Sequence, residues 1–282
     1  CRNIHFTGIF GTGMSALAQY LRFQGITVTG SDRLLASEDT SSIRSSLEAL
    51  GCGIYSQDGS GIDKDTDVVC ISTAIEESNA DIAAARASGL PVIHRSDLLA
   101  GIIKTKKTIA VAGTSGKSTV TAMIFEFLTA CEKSPSLISG APLRRLKKQG
   151  LIGNAFCGGS DLLVVEADES DGSIVQYKPE LGLLLNIDKD HQEIDELMKV
   201  FGVFKNNSRF FVVNQSHALA RQLSKDVQQD FSTNPDINAG YVATDFHQQG
   251  LTISFKIQGV PFQLNVVGKH NMENAVAAVT IA

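Results

Sequence analysis

The segment Gly113-Thr114-Ser115-Gly116-Lys117-Ser118-Thr119 has the residue types and spacing of a phosphate-binding loop. In such a loop the backbone N–H groups cradle phosphates, the lysine reaches the β- and γ-phosphates, and the serine hydroxyl can ligate Mg²⁺. The general motif has a glycine where this chain has Val111, so the loop is a variant. An apolar stretch precedes it and a helical pattern follows it, which disfavours a chance Gly-Lys-Ser turn. We therefore expect this loop to bind ATP together with Mg²⁺.

A phosphate loop needs a carboxylate to hold its metal, usually at the end of a neighbouring apolar strand. The run Leu162–Val165 fits a buried central strand, and Glu166 is the first charge after it. We expect Glu166 and Ser118 to be metal ligands. Glu169 belongs to a run of four acids within six residues, which is typical of a solvated turn, so we expect Glu169 to face solvent.

A histidine follows a third apolar stretch, Leu183–Leu185, at the end of Asn186-Ile187-Asp188-Lys189-Asp190-His191. The carboxyl ends of parallel strands line the ligand crevice of an open α/β sheet. A lone histidine is more often structural, but here three apolar strands would bring a lysine, a glutamate and a histidine to one edge. We therefore expect His191 to lie beside the phosphate loop.

A second glycine-rich turn, Gly11-x-Gly13-x-x-Ala16, follows the short apolar stretch Asn3–Thr7. With Asp32 about 20 residues later, it matches the fingerprint of a βαβ unit that binds a pyrophosphate at a helix N-terminus. The fingerprint does not separate NAD from a nucleotide sugar. Asp32 could contact the ligand, or it could be a turn residue after the second strand.

Strand and helix patterns alternate along most of the chain, which indicates an α/β protein built on parallel sheets. A chain of 282 residues tends to divide into two cores, and the basic stretch Lys104–Lys107 separates two runs of the pattern. We expect a Rossmann-like domain at residues 1–105 and a P-loop α/β domain at residues 106–282. Alternation of apolar and polar residues around Gln258-Gly259 predicts a β-hairpin near the end.

The composition is that of an ordinary globular protein, with 43% hydrophobic and 20% charged residues and a net charge of −5. The negative charge argues against nucleic acid and anionic membranes as partners. We see no apolar run of membrane-spanning length and no signal-peptide pattern. The five cysteines have neither the spacing of a disulfide framework nor that of a zinc site. The cytoplasm is therefore the expected location.

Four motifs, in this order, resemble the Mur ligase family: Gly113–Thr119, Glu166–Asp171, Asn186-Ile187-x-x-Asp190-His191 and His270-Asn271-x-x-Asn274. The resemblance covers essentially the whole chain. Within the family, the chain is most similar to the branch that joins L-alanine to UDP-N-acetylmuramate. The segments that carry this finer likeness are the glycine turn with Met14-Ser15, Gly30-Ser31-Asp32, Ser72-Thr73-Ala74-Ile75 and Asp171-Gly172-Ser173.

The resemblance implies an ATP-dependent ligase of peptidoglycan precursor synthesis, with small-molecule substrates and a monomer or weak dimer as its state. ATP would phosphorylate the lactyl carboxylate of UDP-N-acetylmuramate, and the amine of L-alanine would then attack the acyl phosphate. Lys117, Glu166 and His191 would be catalytic, and Ser118, Glu166 and His191 would ligate metal. The nucleotide sugar would contact Gly11, Thr12, Gly13, Met14, Ser15, Asp32, Ser72 and Thr73. ATP would also contact His270, Asn271 and Asn274, although Asn271 could instead cap the last helix.

Three features depart from the family pattern. Ser115 stands where close relatives carry His or Asn, the segment after His191 is shorter, and the chain ends before the third domain of the family. A ligase that attaches a whole peptide to UDP-N-acetylmuramate is therefore an alternative, and we expect the chain to bind substrates without turnover. A non-catalytic regulator that binds a nucleotide sugar and ATP is disfavoured by the retained Glu166 and His191. An NAD-dependent oxidoreductase fused to an ATPase is disfavoured because no hydride-transfer site is visible.

Overall fold

The structure is a computed structural model that describes residues 2–189 and 193–282. The strands are β1 (Asn3–Thr7), β2 (Thr27–Ser31), β3 (Gly53–Tyr55), β4 (Val68–Ile71), β5 (Val92–His94), β6 (Lys107–Ala112), β7 (Ser136–Ile138), β8 (Ala155–Phe156), β9 (Leu162–Glu166), β10 (Leu181–Leu184), β11 (Phe210–Val213), β12 (Phe231–Ser232), β13 (Tyr241–Gln249), β14 (Thr252–Ile257) and β15 (Val260–Leu264). The helices are α1 (Thr12–Phe23), α2 (Ser41–Ala49), α3 (Ala80–Ala87), α4 (Arg95–Lys104), α5 (Lys117–Ala130), α6 (Arg144–Lys147), α7 (Ile194–Asn207) and α8 (Lys269–Ile281). None of the helices described is both long enough and apolar enough to cross a lipid bilayer.

The chain divides into two compact units. The first comprises Cys1–Ile102 and Ser136–Gly159, and the second comprises Ile103–Pro135 and Ser160–Ala282. The predicted domain of residues 106–282 differs from this division because it includes Ser136–Gly159. That segment joins the first unit through buried amides: Gln19 donates to Asn154 Oδ1 at 2.7 Å. Such a long-range pair leaves no periodic signal in the sequence. The assignment of Ser136–Gly159 to the first unit therefore could not be predicted from the sequence.

The first unit contains a five-stranded sheet in the order β3-β2-β1-β4-β5, and every neighbouring pair in it is parallel. Phe6, Val28 and Val69, one from each of its three central strands, are fully buried. This arrangement confirms the expected Rossmann-like α/β class. The last residues of β1 and β2, Thr7 and Ser31, are register partners, so the turns that follow both strands lie at the same edge.

The second unit contains four parallel strands in the order β11-β10-β6-β9. Helix α5 packs on them with Val120, Ile124 and Leu128, which are spaced by one helical turn and buried. Because β6 lies between β10 and β9, the segments after these three strands meet at one edge of the sheet. That edge carries the phosphate loop.

A smaller sheet in the second unit has the order β12-β13-β14-β15. The predicted hairpin is confirmed: β14 and β15 are antiparallel, and Gln258 and Gly259 form the turn with φ values of 49° and 80°. The sequence analysis did not identify β13. This strand is irregular, because its register with β14 shifts between Thr244 and His247.

Candidate functional site

The phosphate loop follows β6 and leads directly into α5, in the strand–loop–helix setting expected from the sequence. Gly113 and Gly116 have φ values of 139° and 82°, a backbone conformation that residues with a Cβ rarely adopt. A Cβ at Gly116 would also lie 2.8 Å from Asn274 Oδ1. The two glycines are therefore required by backbone conformation and by close packing. A cavity of about 240 Å³ is lined by Thr114, Ser115, Gly116, Lys117, Ser118, Thr119 and Glu166.

Lys117 is held inside the loop by two partners. Its Nζ donates to the carbonyl oxygen of Gly113 at 2.7 Å and lies 2.9 Å and 3.2 Å from the two carboxylate oxygens of Glu169. Glu169 is only 6% exposed, so the expectation that it faces solvent was wrong. The acidic run after β9 turns inward at this residue because the lysine offers a buried carboxylate a charged partner.

Burial dominates the ionisation of Glu169. It raises the pKa of this carboxyl above the ordinary value of 4.5, and the hydrogen bond and charge of Lys117 offset only part of the rise. Lys117 therefore holds the Glu169 carboxylate in place, although burial makes the ionised form of that carboxylate less favourable than in water.

Ser118 and Glu166 form the pair of oxygen groups that the sequence analysis assigned to a metal. The Ser118 hydroxyl donates to Glu166 Oε1 at 3.0 Å, and Glu166 is the last residue of β9. Hydroxyl and carboxylate oxygens are the ligand types that Mg²⁺ prefers, and Mg²⁺ usually keeps waters and substrate phosphates as its other ligands. Within residues 2–189 and 193–282 there is no cluster of three or more His, Cys, Asp or Glu side chains suited to a metal. The donor set therefore fits Mg²⁺ bound together with a nucleotide. His191 lies outside the described residues.

Asn186, the second residue after β10, fixes the conformation of the phosphate loop. Its Oδ1 accepts hydrogen bonds from the Thr114 hydroxyl and from the Ser115 backbone N–H, both at 2.9 Å. Its Nδ2 donates to the carbonyl oxygen of Ser115 at 3.1 Å. The backbone N–H of Asp188 donates to the Thr114 hydroxyl at 2.9 Å. Asn186 was not among the predicted site residues, although its place after an apolar strand was the available signal.

The N-terminal residues of α8 divide into two groups. Asn274 Oδ1 lies against Gly116, so the structure brings this predicted ATP contact to the phosphate loop. Asn271 Nδ2 donates to the carbonyl oxygen of Val267 at 2.8 Å and lies 3.1 Å from His270 Nε2. Asn271 therefore fixes the segment that leads into α8. It is not the N-cap residue, because the N-cap of α8 is Gly268 and no side-chain hydrogen bond caps the helix.

In the first unit, the glycine turn after β1 is anchored to the end of β2. The backbone N–H groups of Gly8 and Ile9 donate to the carbonyl oxygen of Ser31 at 2.8 Å and 3.0 Å. The Phe10 N–H donates to Asp32 Oδ2 at 2.9 Å, and Asp32 is only 7% exposed. Asp32 thus fixes the glycine turn, which is one of the two roles that the sequence analysis left open. It also lines a cavity.

The predicted sugar-nucleotide residues line two different cavities. One of about 430 Å³ is lined by Gly8, Gly11, Asp32, Arg33, Leu34, Gln57, Ser72, Ala74, Ile75, Glu76, Ser78 and Asn79. The other, of about 530 Å³, is lined by Thr12, Ser15, Ser42, Ile43, Ser46, Pro142, Lys147, Gly150, Leu151, Ile152 and Asn154. Among the predicted residues, Gly11, Asp32 and Ser72 thus line the first cavity, whereas Thr12 and Ser15, at the start of α1, line the second.

Three other predicted residues have different surroundings. Met14 is 2% exposed, so its side chain belongs to the core. Thr73 is exposed in the segment after β4. A Cβ at Gly13 would lie 2.9 Å from Arg95 Nη1, so a guanidinium that the sequence analysis missed stands beside the glycine turn. A cation there suits an anionic ligand at the turn.

Comparisons with known proteins agree with these features. The profile described as "Mur ligase family, catalytic domain" matches residues 3–107, and the one described as "Mur ligase middle domain" matches residues 111–282. UDP-N-acetylmuramate–L-alanine ligases of Syntrophomonas wolfei and Geotalea daltonii are 34% and 36% identical over 99% of this chain. The chain spans about 62% of the length of these curated relatives.

The solved structure of the UDP-N-acetylmuramate-alanine ligase MurC of Thermotoga maritima is 26% identical. It has a TM-score of 0.83 over 99% of this chain and 64% of that protein. A murein peptide ligase of Psychrobacter arcticus is 22% identical with a TM-score of 0.82 over 99% of this chain and 64% of that protein, which shows the shared fold. Both family profiles and the shared fold confirm the resemblance, and this chain belongs to the Mur ligase family.

Proposed function

We propose that this chain is the nucleotide-binding part of an ATP-dependent ligase that joins L-alanine to UDP-N-acetylmuramate in peptidoglycan precursor synthesis. The observation that carries the proposal is the grouping of Lys117, Ser118 and Glu166 around one phosphate loop. The names of the relatives at 34–36% identity support the choice of substrates.

In the proposed reaction, a carboxylate oxygen of the lactyl group attacks the γ-phosphorus of ATP. The bond from phosphorus to the bridging oxygen breaks, and ADP leaves with the electron pair. The amine of L-alanine then attacks the acyl carbon, loses a proton, and displaces inorganic phosphate. Phosphoryl transfer depends mainly on positioning and charge neutralisation. Lys117 supplies the cation for the transferred group, and the loop N–H groups hold the phosphates.

Ser118 and Glu166 are the proposed ligands of Mg²⁺, and His191 is a further proposed ligand and catalytic residue from the family motif. Bound Mg²⁺ would supply neutralisation of phosphate charge. Within this chain, the Ser118 hydroxyl and the Glu166 carboxylate are hydrogen-bonded to each other in the cavity that Lys117 also lines. The proposed ATP contacts beyond the loop are His270, Asn271 and Asn274.

We further propose that residues 1–105 bind the nucleotide sugar and that residues 106–282 bind ATP. The sugar-nucleotide contacts would be Gly11, Thr12, Gly13, Met14, Ser15, Asp32, Ser72 and Thr73. The anchored glycine turn and the nearby Arg95 support binding of a pyrophosphate in this unit. A cytoplasmic location and a monomer or weak dimer complete the proposal.

Calorimetric titration of the 282-residue chain with UDP-N-acetylmuramate, with NADH as the control ligand, tests the proposal. We expect saturable binding of the nucleotide sugar and none of NADH. ATP with Mg²⁺ is titrated separately, and Lys117→Ala should weaken only this second binding. Binding of NADH without binding of the nucleotide sugar would overturn the proposed substrate.

A further inference from the structure

A buried polar cluster lies beneath the glycine turn of the first unit. Its centre is Asp81, in the first turn of α3, which is fully buried. Asp81 Oδ2 accepts hydrogen bonds from the Thr7 hydroxyl at 3.0 Å and from the Ser31 hydroxyl. His5 Nε2 lies 3.4 Å from the same oxygen, and His5 is also fully buried. One carboxylate oxygen therefore gathers groups from β1 and β2.

The other oxygen of this carboxylate holds the connection between β3 and β4, because Asp81 Oδ1 accepts the Gly59 N–H at 2.9 Å. His5 is held from its far side, where its Nδ1 lies 2.9 Å from the Thr29 hydroxyl. Burial opposes ionisation of Asp81, but hydrogen bonds from His5, Ser31 and Gly59 and the electrostatic interaction with His5 outweigh it. The pKa of Asp81 consequently lies below its ordinary value, and the carboxylate form is maintained.

Two residues of the cluster are adjacent in sequence to residues at the glycine turn and its cavity. Thr7 and Ser31 are the last residues of β1 and β2, and Gly8 and Asp32 come next. The Ser31 carbonyl oxygen accepts the N–H groups of Gly8 and Ile9, so the position of Ser31 sets the path of the turn. Gly8 and Asp32 both line the cavity of about 430 Å³.

We propose that Asp81 is a positioning residue for the nucleotide-sugar site: through Ser31 and Thr7 it fixes the path of the glycine turn into α1, whose first backbone N–H groups would bind a pyrophosphate. A buried carboxylate must keep its donors, since losing one leaves an unpaired charge in the core. Hydrogen bonds to a charged acceptor are also stronger than those between neutral groups. The inference rests on the proposed nucleotide-sugar binding.

The test compares Asp81→Asn, which removes the charge at constant size, and Ser31→Ala, which removes one donor. The matched control is Asp230→Asn, because Asp230 is a fully buried carboxylate of the second unit that accepts bonds from Val213 N–H and Gln215 Nε2. Each folded variant is titrated with UDP-N-acetylmuramate and, separately, with ATP. We expect the Kd of the nucleotide sugar to rise about fivefold for Ser31→Ala and about tenfold or more for Asp81→Asn. The Kd of ATP should stay unchanged in both, and Asp230→Asn should leave the Kd of the nucleotide sugar unchanged.

Amide hydrogen exchange of Gly8 and Ile9 gives a second readout that needs no ligand. Both amides should exchange faster in Ser31→Ala than in the wild-type chain. Unchanged exchange, an unchanged Kd for the nucleotide sugar, or an equal rise in the Kd of ATP would overturn the inference. If the wild-type chain does not bind UDP-N-acetylmuramate, the proposed function fails, and faster exchange would still support the positioning role. Ser31→Ala decides the question if Asp81→Asn does not fold.

Discussion

Lys117 of the phosphate loop and Glu169, which follows β9, form a largely buried ion pair, with Nζ 2.9 Å from Oε2 and side chains that are 14% and 8% exposed. The lysine that should reach the phosphates of ATP is thus occupied by a carboxylate of its own chain. A nucleotide phosphate must compete with Glu169 for the same cation. The carboxylate also repels an approaching phosphate, because the two carry charge of the same sign at short range.

Replacement of Glu169 by Gln should therefore strengthen ATP binding. Glutamine keeps the size of the side chain and one hydrogen-bond acceptor but removes the charge that competes for Lys117. We expect the Kd of ATP, measured by calorimetry without added metal, to fall about fivefold, the effect of roughly 1 kcal/mol. The control is Glu180→Gln, because Glu180 also pairs with a basic residue of the second unit, Arg209, but on the surface. A weaker affinity in Glu169→Gln would show that the carboxylate itself assists the nucleotide.

The raised pKa of Glu169 gives a pH dependence with a definite sign. Burial raises this pKa above 4.5 in the folded chain, so folding favours the protonated carboxyl. Its contribution to stability is complete below pH 4.5 and is lost as pH rises through the folded-state pKa. Urea unfolding of the wild-type chain and of Glu169→Gln should show this as a difference in unfolding free energy. The wild type should lose stability relative to the variant as pH rises from 4 to 7, and a constant difference would refute the assignment.

The pairing of Ser118 with Glu166 predicts which variants depend on metal. In the proposed site both side chains would offer oxygen to Mg²⁺, whereas Lys117 would interact with the phosphates directly. Ser118→Ala and Glu166→Gln should weaken ATP binding about tenfold or more when Mg²⁺ is present and much less when it is chelated. Lys117→Ala should weaken binding in both conditions. Equal losses with and without Mg²⁺ for Glu166→Gln would contradict its role as a metal ligand.

Much of this site could be predicted because its signals are local. The apolar strand before Gly113 and the helix after it are consecutive in sequence, and the end of β9 placed Glu166 at the same sheet edge. Glu169 was misjudged because an acidic run looks the same whether it is solvated or folded inward over a lysine. The contact with Lys117 spans 52 residues, and no periodic pattern encodes such a pairing.

The same limit applies to Asn186 and to Asp81. Each is one polar residue near an apolar strand or on a short helix, without a spacing that sets it apart from a turn or cap residue. Their importance comes from groups that are distant in sequence: Asn186 reaches a loop 71 residues away, and Asp81 reaches a strand 74 residues away. Polar groups of this kind become visible only when the hydrogen bonds that satisfy them are known.

Variants of Asn186 should separate the stability of the phosphate loop from its affinity for nucleotide. Asn186→Ala removes both the acceptor for Thr114 and Ser115 and the donor to the Ser115 carbonyl, which should cost about 1–3 kcal/mol of unfolding free energy. Asn186→Asp keeps the acceptor, so it should be more stable than Asn186→Ala, but it adds a negative charge beside the phosphates. We therefore expect stability to decrease from the wild type to Asn186→Asp and then to Asn186→Ala. The affinity for ATP should instead decrease from the wild type to Asn186→Ala and then to Asn186→Asp. Urea unfolding and calorimetry measure the two orders, and the same order in both would mean that Asn186 affects nucleotide binding through loop stability alone.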